Sequence, residues 1–135
     1  MIVPDASVLA AAVGDGGADG ERCRTLLHEA GKASLPDFAD LETAAILRQR
    51  WLAGGLDDNR LRGALEALAA LPFPRYPARP FLPRVFALRA NVSPHDAVYV
   101  ALAEALGAEL VTADLRLAAA PGIRCSVRVI SPLGA

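Results

Sequence analysis

Lysine is nearly absent. Lys32 stands alone beside thirteen arginines, and 14 basic residues against 15 acidic ones leave a formal net charge of −1. Such a balance excludes a global basic field, so any contact with nucleic acid has to come from a local patch. The arginine bias fits a GC-rich genome as readily as it fits phosphate recognition. Aromatic residues make up 5% of the chain, and Trp51, Phe73, Tyr76, Phe81 and Phe86 are too scattered to form a base-stacking platform. The two cysteines, Cys23 and Cys125, are far apart and lack CxxC spacing. That pattern points to two reduced thiols in a cytoplasmic protein, not to a zinc cluster or a disulfide framework. Charges or glycines interrupt every apolar run before it reaches the ~20 residues of a membrane span, and the opening MIVPDASVLAAAV has no basic n-region, so neither a membrane anchor nor an export signal is expected. No phosphate-cradling P-loop and no Ser/His/Asp triad spacing is present.

What is present is a 135-residue chain that is 53% hydrophobic, with Ala and Leu dominant, enough for one core and not two. A single domain over residues 1–135 is expected. IVPD reads as a buried strand, Ser7–Val13 as a helix, GDGGADG as a loop, Glu21–Ala30 as a helix and ASLP as a strand. Asp37 is placed to cap a helix through FADLETAAILRQRWLA that ends at Gly54 and Gly55, and another helix follows from Asp57 to Ala70. The five prolines of LPFPRYPARPFLP make an extended connector. After it come a helix at RVFALRA, the clear helix SPHDAVYVALAEALG, a buried strand AELVT, a short helix DLRLAAA and a last strand VRVIS. Strands alternating with helices imply an α/β sandwich with a mostly parallel central sheet and right-handed crossovers.

Four acids fall at informative places on this frame. Asp5 and Asp114 each follow an apolar run, which puts them at the carboxyl ends of strands, the edge where open parallel sheets bind ligands. Each is also a favoured helix N-cap, which by itself accounts for an Asp there. Asp96 sits at the third helical position after Ser93 and Pro94, so a capping box accounts for it equally well. Glu42 is different, because it shares a helical stripe with Phe38, Ala45 and Ile46 and has no basic residue at three- or four-residue spacing. Together the four form a hard oxygen set suited to Mg²⁺ or Mn²⁺ and hence to phosphodiester hydrolysis. Ser7 and Thr112, two residues from Asp5 and Asp114, offer supporting hydroxyls or simple caps. His95 reads as an exposed first-turn residue without an assigned role.

Asp5-Ala6-Ser7, Glu42, the run Asp96-Ala97-Val98-Tyr99-Val100-Ala101-Leu102-Ala103, and Thr112-Ala113-Asp114 followed by Leu117 resemble the PIN-domain signature, with the VapC-type toxins of bacterial toxin–antitoxin pairs as the nearest pattern. The resemblance spans residues 2 to about 130. It implies a three-layer α/β/α sandwich and a Mg²⁺- or Mn²⁺-dependent endoribonuclease that cleaves tRNA or rRNA, is neutralised by a VapB-like antitoxin and assembles as a homodimer. By the same resemblance Asp5, Glu42, Asp96 and Asp114 are the acidic metal-site residues, Asp5 and Asp96 the direct ligands, and Ser7 and Thr112 the supporting hydroxyls. Arg116 and Leu117 stand where some PIN domains carry a further acid. Arg75, Arg79, Arg84 and Arg89 are the candidates for RNA contacts. Haloacid-dehalogenase-like phosphatases want a second acid where Ser7 stands, and receiver domains want a late Lys, so both are disfavoured. The non-enzymatic alternative is a catalytically silent PIN-like module that binds RNA or protein; loss of acids would mark it, and all four are kept.

Overall fold

The computed structural model describes residues 1–130. Among them, five short parallel strands form the centre: β1 (Ile2–Pro4), β2 (Leu35–Pro36), β3 (Arg75–Tyr76), β4 (Glu109–Thr112) and β5 (Val127–Val129). β1 pairs with β4, β4 with β5, and β2 with β3. An isolated parallel bridge between Ile2 and Ala33 joins the two halves: the Ile2 N–H donates to the Lys32 carbonyl at 3.1 Å and the Ser34 N–H to the Ile2 carbonyl at 3.1 Å. The resulting order is β3-β2-β1-β4-β5, with the chain reversing direction of travel between β1 and β4. A parallel sheet needs cover on both faces. Here that cover comes from α1 (Ala6–Gly14), α2 (Ala18–Ala30), α3 (Ala39–Leu52), α4 (Asp58–Ala70), α5 (Leu82–Ala87), α6 (Pro94–Leu106) and α7 (Leu115–Ala119), giving the three-layer α/β/α arrangement. Among the described residues no helix is long and apolar enough to cross a membrane, and Cys23 and Cys125 are both free.

The main core gathers Val3, Leu35, Leu110 and Val111 of the strands with Val8, Leu9, Val100 and Leu102 of α1 and α6. A smaller cluster of Ala10, Leu47, Leu56 and Ala64 ties α1 to α3 and α4. Close approach there depends on Gly14, because a Cβ at that position would lie 2.5 Å from Leu47 Cδ2. At the other end of the fold Gly107, with φ 62°, adopts the left-handed conformation that ends α6 and lets the chain turn directly into β4.

Three local expectations differ from the structure. α2 begins at Ala18, so the glycine-rich loop is shorter than GDGGADG: Gly17 takes the N-cap place, and Asp19 and Glu21 add favourable charge to the first turn. Asp37 does not cap α3. It is exposed, and its N–H continues the sheet by donating to the Tyr76 carbonyl at 2.7 Å, so the helix starts from Phe38, anchored by its ring and not by a cap. The proline-rich connector contains β3 and then a 3-10 turn over Arg79–Phe81. Prolines at 74 and 77 flank Arg75–Tyr76 and leave those two residues their N–H groups, which makes a two-residue edge strand possible. Ser131, the expected end of the last strand, lies outside the described residues.

Candidate active site

β1 ends at Pro4, and Asp5 follows with its N–H still in the ladder, donating to the Val111 carbonyl at 2.9 Å. Asp5 is also the N-cap of α1. Its Oδ1 accepts from the N–H of Ser7 at 3.1 Å, the N–H of Val8 at 3.3 Å and the Ser7 hydroxyl at 2.5 Å. Its Oδ2 accepts from the hydroxyl of Thr112, the fully buried last residue of β4. The Thr112 oxygen accepts in turn from the Asp114 N–H at 3.0 Å. One hydroxyl thus ties the ends of two adjacent strands and both of their acids. Asp114 caps α7 through the Arg116 N–H at 2.8 Å.

The other two acids arrive on helices. Asp96 is in the first turn of α6, where its N–H donates to the Ser93 hydroxyl oxygen at 3.3 Å. Glu42 is in the first turn of α3. The buried face of α3 is Ala39, Thr43 and Leu47, so Glu42 lies on its flank, half-buried, and Ala45 of the expected apolar stripe is exposed. That flank faces a cleft of about 350 Å³ lined by Asp5, Ser7, Glu42, Ile46, Asp96 and Asp114. All four predicted acids therefore meet in one concavity, at the first turns of four helices. The partial positive charge of those helix ends offsets some of the crowding of carboxylates.

The offset is incomplete. Burial pushes the Asp5 carboxyl above its usual range, against the lowering effect of its hydrogen bonds from Ser7 and Thr112. Burial raises Asp96 too, and the charges of Asp5 and Asp114 add to the rise. Glu42 is raised by burial first, with Tyr99 and His95 opposing and Asp96 and Asp5 reinforcing. Three acids that each resist ionisation, partly because of one another, form a site that a cation would relieve. The lining offers carboxylate and hydroxyl oxygens without sulfur or imidazole, the donor set of a hard divalent ion. Among the described residues there is no ready-made group of three or more His, Cys, Asp or Glu side chains that could hold a metal ion. Mg²⁺ does not need one, since it keeps several waters and takes one or two carboxylates plus substrate oxygens.

Tyr99 was missed by sequence reasoning. It is fully buried on α6, one turn beyond Asp96, with its ring edge-on to Phe38 at a centroid distance of 5.5 Å. Its hydroxyl has no partner at full hydrogen-bond geometry, yet it lies near enough to Glu42 to lower that acid's pKa. The signal was a phenol at three-residue spacing from Asp96 on a buried helix, since a buried Tyr hydroxyl needs an acceptor. His95 packs its ring edge-on to Phe38 at 4.9 Å and does not line the cleft. Of the expected RNA-contacting arginines, Arg75 forks onto Asp40, Arg84 forks onto Glu104, and Arg89 lies 4.0 Å over the Phe86 ring. Those three are held by the fold; Arg79 remains.

An open parallel sheet with carboxylates gathered beyond its strand ends defines an α/β domain with an acidic cleft at the edge where such sheets bind ligands. The PIN domain profile matches residues 2–123, and the chain belongs to the PIN-domain family. It is similar to Ribonuclease VapC1 of Mycobacterium tuberculosis, 39% identical over 129 residues that cover 95% of this chain and 96% of the relative. It is 42% identical to Ribonuclease VapC9 of the same organism over 134 residues, covering 96% and 98%. Among solved structures, PAE2754 from Pyrobaculum aerophilum superposes with a TM-score of 0.65 at 21% identity, covering 87% of this chain and 84% of that one. Mycobacterium tuberculosis VapC20, a sarcin-ricin loop cleaving toxin, gives 0.63 at 15% identity, covering 82% and 87%. These two likenesses support the fold.

Proposed function

We propose that this protein is a metal-dependent endoribonuclease toxin of the VapC type, which hydrolyses phosphodiester bonds of cellular tRNA or rRNA in the cytoplasm and is held in check by a VapB-like antitoxin. The observation that carries the reading is the meeting of Asp5, Glu42, Asp96 and Asp114 in one cleft, in a chain whose relatives at 39 and 42% identity are named ribonucleases. Asp5 and Asp96 would hold Mg²⁺ or Mn²⁺, with Glu42 and Asp114 beside them. When bound, the ion polarises the phosphoryl oxygen, lowers the pKa of a coordinated water and neutralises charge on the leaving oxygen.

The chain's own residues do the rest. Ser7 and Thr112 fix both oxygens of Asp5, so the carboxylate is oriented before any ligand arrives. Ile46 closes one wall with apolar surface and excludes water there. Glu42, whose raised pKa makes it more basic than a free carboxylate, is suited to accept at a carboxylate oxygen the proton released as water attacks phosphorus. Exposed Trp51 and Leu52 of α3, Leu65 of α4, and Leu82 and Phe86 of α5 offer apolar surface that an antitoxin segment and a second copy of the chain would cover.

The test is cleavage of total RNA by purified, antitoxin-free protein. Cleavage is expected with Mg²⁺ or Mn²⁺, none in chelator, and none from Asp5→Asn or Asp96→Asn proteins whose circular dichroism matches the wild type. Full activity in chelator, or in Asp96→Asn, sinks the metal mechanism.

A further inference from the structure

A second cavity, of about 730 Å³, lies along the same helices as the acidic cleft and has the opposite charge. Glu42, Ile46 and Arg50 follow one another at four-residue spacing and so form one stripe of α3. Ile46 lines the cleft and Arg50 lines the second cavity. At the rise of an α-helix, eight residues put Arg50 about 12 Å along the axis from Glu42. The other walls are the glycine-rich turn Gly14–Gly17, Leu56, and Arg60 of α4.

Cations gather here for a structural reason. α1 ends at this turn with no basic residue in its own last turn. Its closing carbonyls are met instead by Arg24 (to Ala12 at 3.1 Å and Asp15 at 2.7 Å), Arg50 (to Ala10 at 3.4 Å) and Arg60 (to Gly14 at 3.5 Å). The contacts of Arg50 and Arg60 are long, and each uses one of a guanidinium's five donors. Neither arginine is paired with a carboxylate among the described residues. Asp15, the acid in the cavity wall, turns its carboxylate back onto the Gly17 N–H at 2.7 Å. C-capping of α1 therefore explains why the arginines are near, but leaves most of their donors unspent at the wall of an open cavity. Planar forks of that kind match the oxygens of a phosphate diester.

We propose that this cavity is a phosphate subsite, in which Arg50 and Arg60 hold a backbone phosphate of the bound RNA strand about 12 Å along α3 from the acidic cleft. The proposal rests on the ribonuclease reading of the acidic cleft. It places the chain's sequence-independent grip on RNA in the Arg50–Arg60 pair, apart from Arg75, Arg84 and Arg89, whose guanidiniums the fold already uses.

The experiment is equilibrium binding of a single-stranded oligoribonucleotide to the full chain in chelator, where nothing is cut, over a range of salt concentrations. Removing one cation that neutralises a phosphate lowers the slope of log affinity against log salt by about 0.7 for a single strand. The double variant Arg50→Ala/Arg60→Ala is expected to bind about tenfold more weakly, with a slope reduced by up to about 1.4. Arg60→Gln, at an exposed position that leaves the fold intact, is expected to show about half of that slope change, and Arg60→Lys to restore the wild-type slope. Arg48→Ala, exposed on α3 outside the cavity, keeps the wild-type slope. An unchanged slope in both Arg60→Gln and the double variant overturns the subsite, even where wild-type protein cuts RNA. Wild-type protein that cuts no RNA with Mg²⁺ or Mn²⁺ overturns the ribonuclease reading itself.

Discussion

Replacing Thr112 with valine removes one oxygen atom and keeps the shape, which isolates the link between the two strand-end acids. In the wild type that hydroxyl donates to Asp5 Oδ2 and accepts the Asp114 N–H at 3.0 Å. Thr112 is fully buried and Asp5 is 7% exposed, so water does not readily replace either bond. A hydrogen bond to a charged group contributes about 1.5–3 kcal/mol and a neutral one about 0.5–1.5 kcal/mol, so Thr112→Val is expected to cost about 2–4 kcal/mol at neutral pH in the absence of metal. The pH dependence supplies a second, independent check. Asp5 is held above its ordinary pKa by burial, and Thr112 is one of the groups that opposes the rise, so the variant raises that pKa further. An acid whose folded-state pKa is raised binds its proton more tightly in the folded protein. Stability from that source is fully present below the unfolded pKa and is lost as pH rises through the folded pKa. The variant's penalty should therefore be largest near neutrality and shrink as pH falls toward the ordinary carboxylate range near 4. Urea unfolding in chelator at several pH values measures both. A penalty below about 0.5 kcal/mol, or one that does not diminish on acidification, would refute the idea that this hydroxyl holds Asp5 in its ionised state.

Asp96→Asn is expected to raise the melting temperature of the metal-free protein, because it removes a half-buried charge that Asp5 and Asp114 oppose. Saturating Mg²⁺ should reverse the ranking: at a hundred times its Kd a bound ion adds about 2.7 kcal/mol to the wild type and little to the variant. Calorimetric melts with and without Mg²⁺ test this, and a variant melting below metal-free wild type would contradict it. Thr43→Val should stabilise the fold, since the Thr43 hydroxyl is fully buried without a partner. A gain of about 1 kcal/mol, read as a rise in Tm of about 3–5 °C, is expected; a fall would show that the hydroxyl is satisfied in solution.

The fold was legible where one signal decided the matter. The apolar runs before Asp5 and Asp114 gave β1 and β4, and Ser93-Pro94 with Gly107 bracketed α6 within a residue. Legibility failed where tertiary contacts override local preference. Asp37 is a favoured cap residue, yet the sheet claims its N–H, and Phe38 starts α3 because its ring is wedged between His95 and Tyr99. β3 consists of two residues between prolines, too few to show alternation, and exists only because Leu35 and Pro36 lie beside it. At the site the acids and hydroxyls could be picked from their spacing, but not which hydroxyl serves which acid. Thr112, next but one to Asp114, spends its proton on Asp5, 107 residues away in the chain.

The same limit applies to the arginines, whose partners the sequence does not reveal. In sequence, Arg75 and Arg79 sit in the proline-rich connector and Arg84 and Arg89 in the helical segment after it, and all four look available, whereas Arg50 and Arg60 look like ordinary helix-surface residues. Availability is decided by what the fold has already spent. Arg75 pins the connector to α3 and α4 and Arg84 pins α5 to α6, each through a bidentate carboxylate partner, and a guanidinium so pinned has few donors left for a ligand. Among the described residues Arg50 and Arg60 meet only carbonyls of α1, at 3.4 and 3.5 Å. α1 is the element that sets both ends of this arrangement. Its amino end takes Asp5 as a cap and thereby helps hold a buried carboxylate at the cleft, while its carboxyl end, lacking a cation of its own, draws in arginines from α2, α3 and α4. A single nine-residue helix thus orders an acidic cleft at one end and an arginine-lined cavity at the other, the two charges that the proposed metal-dependent cut of an RNA strand would use.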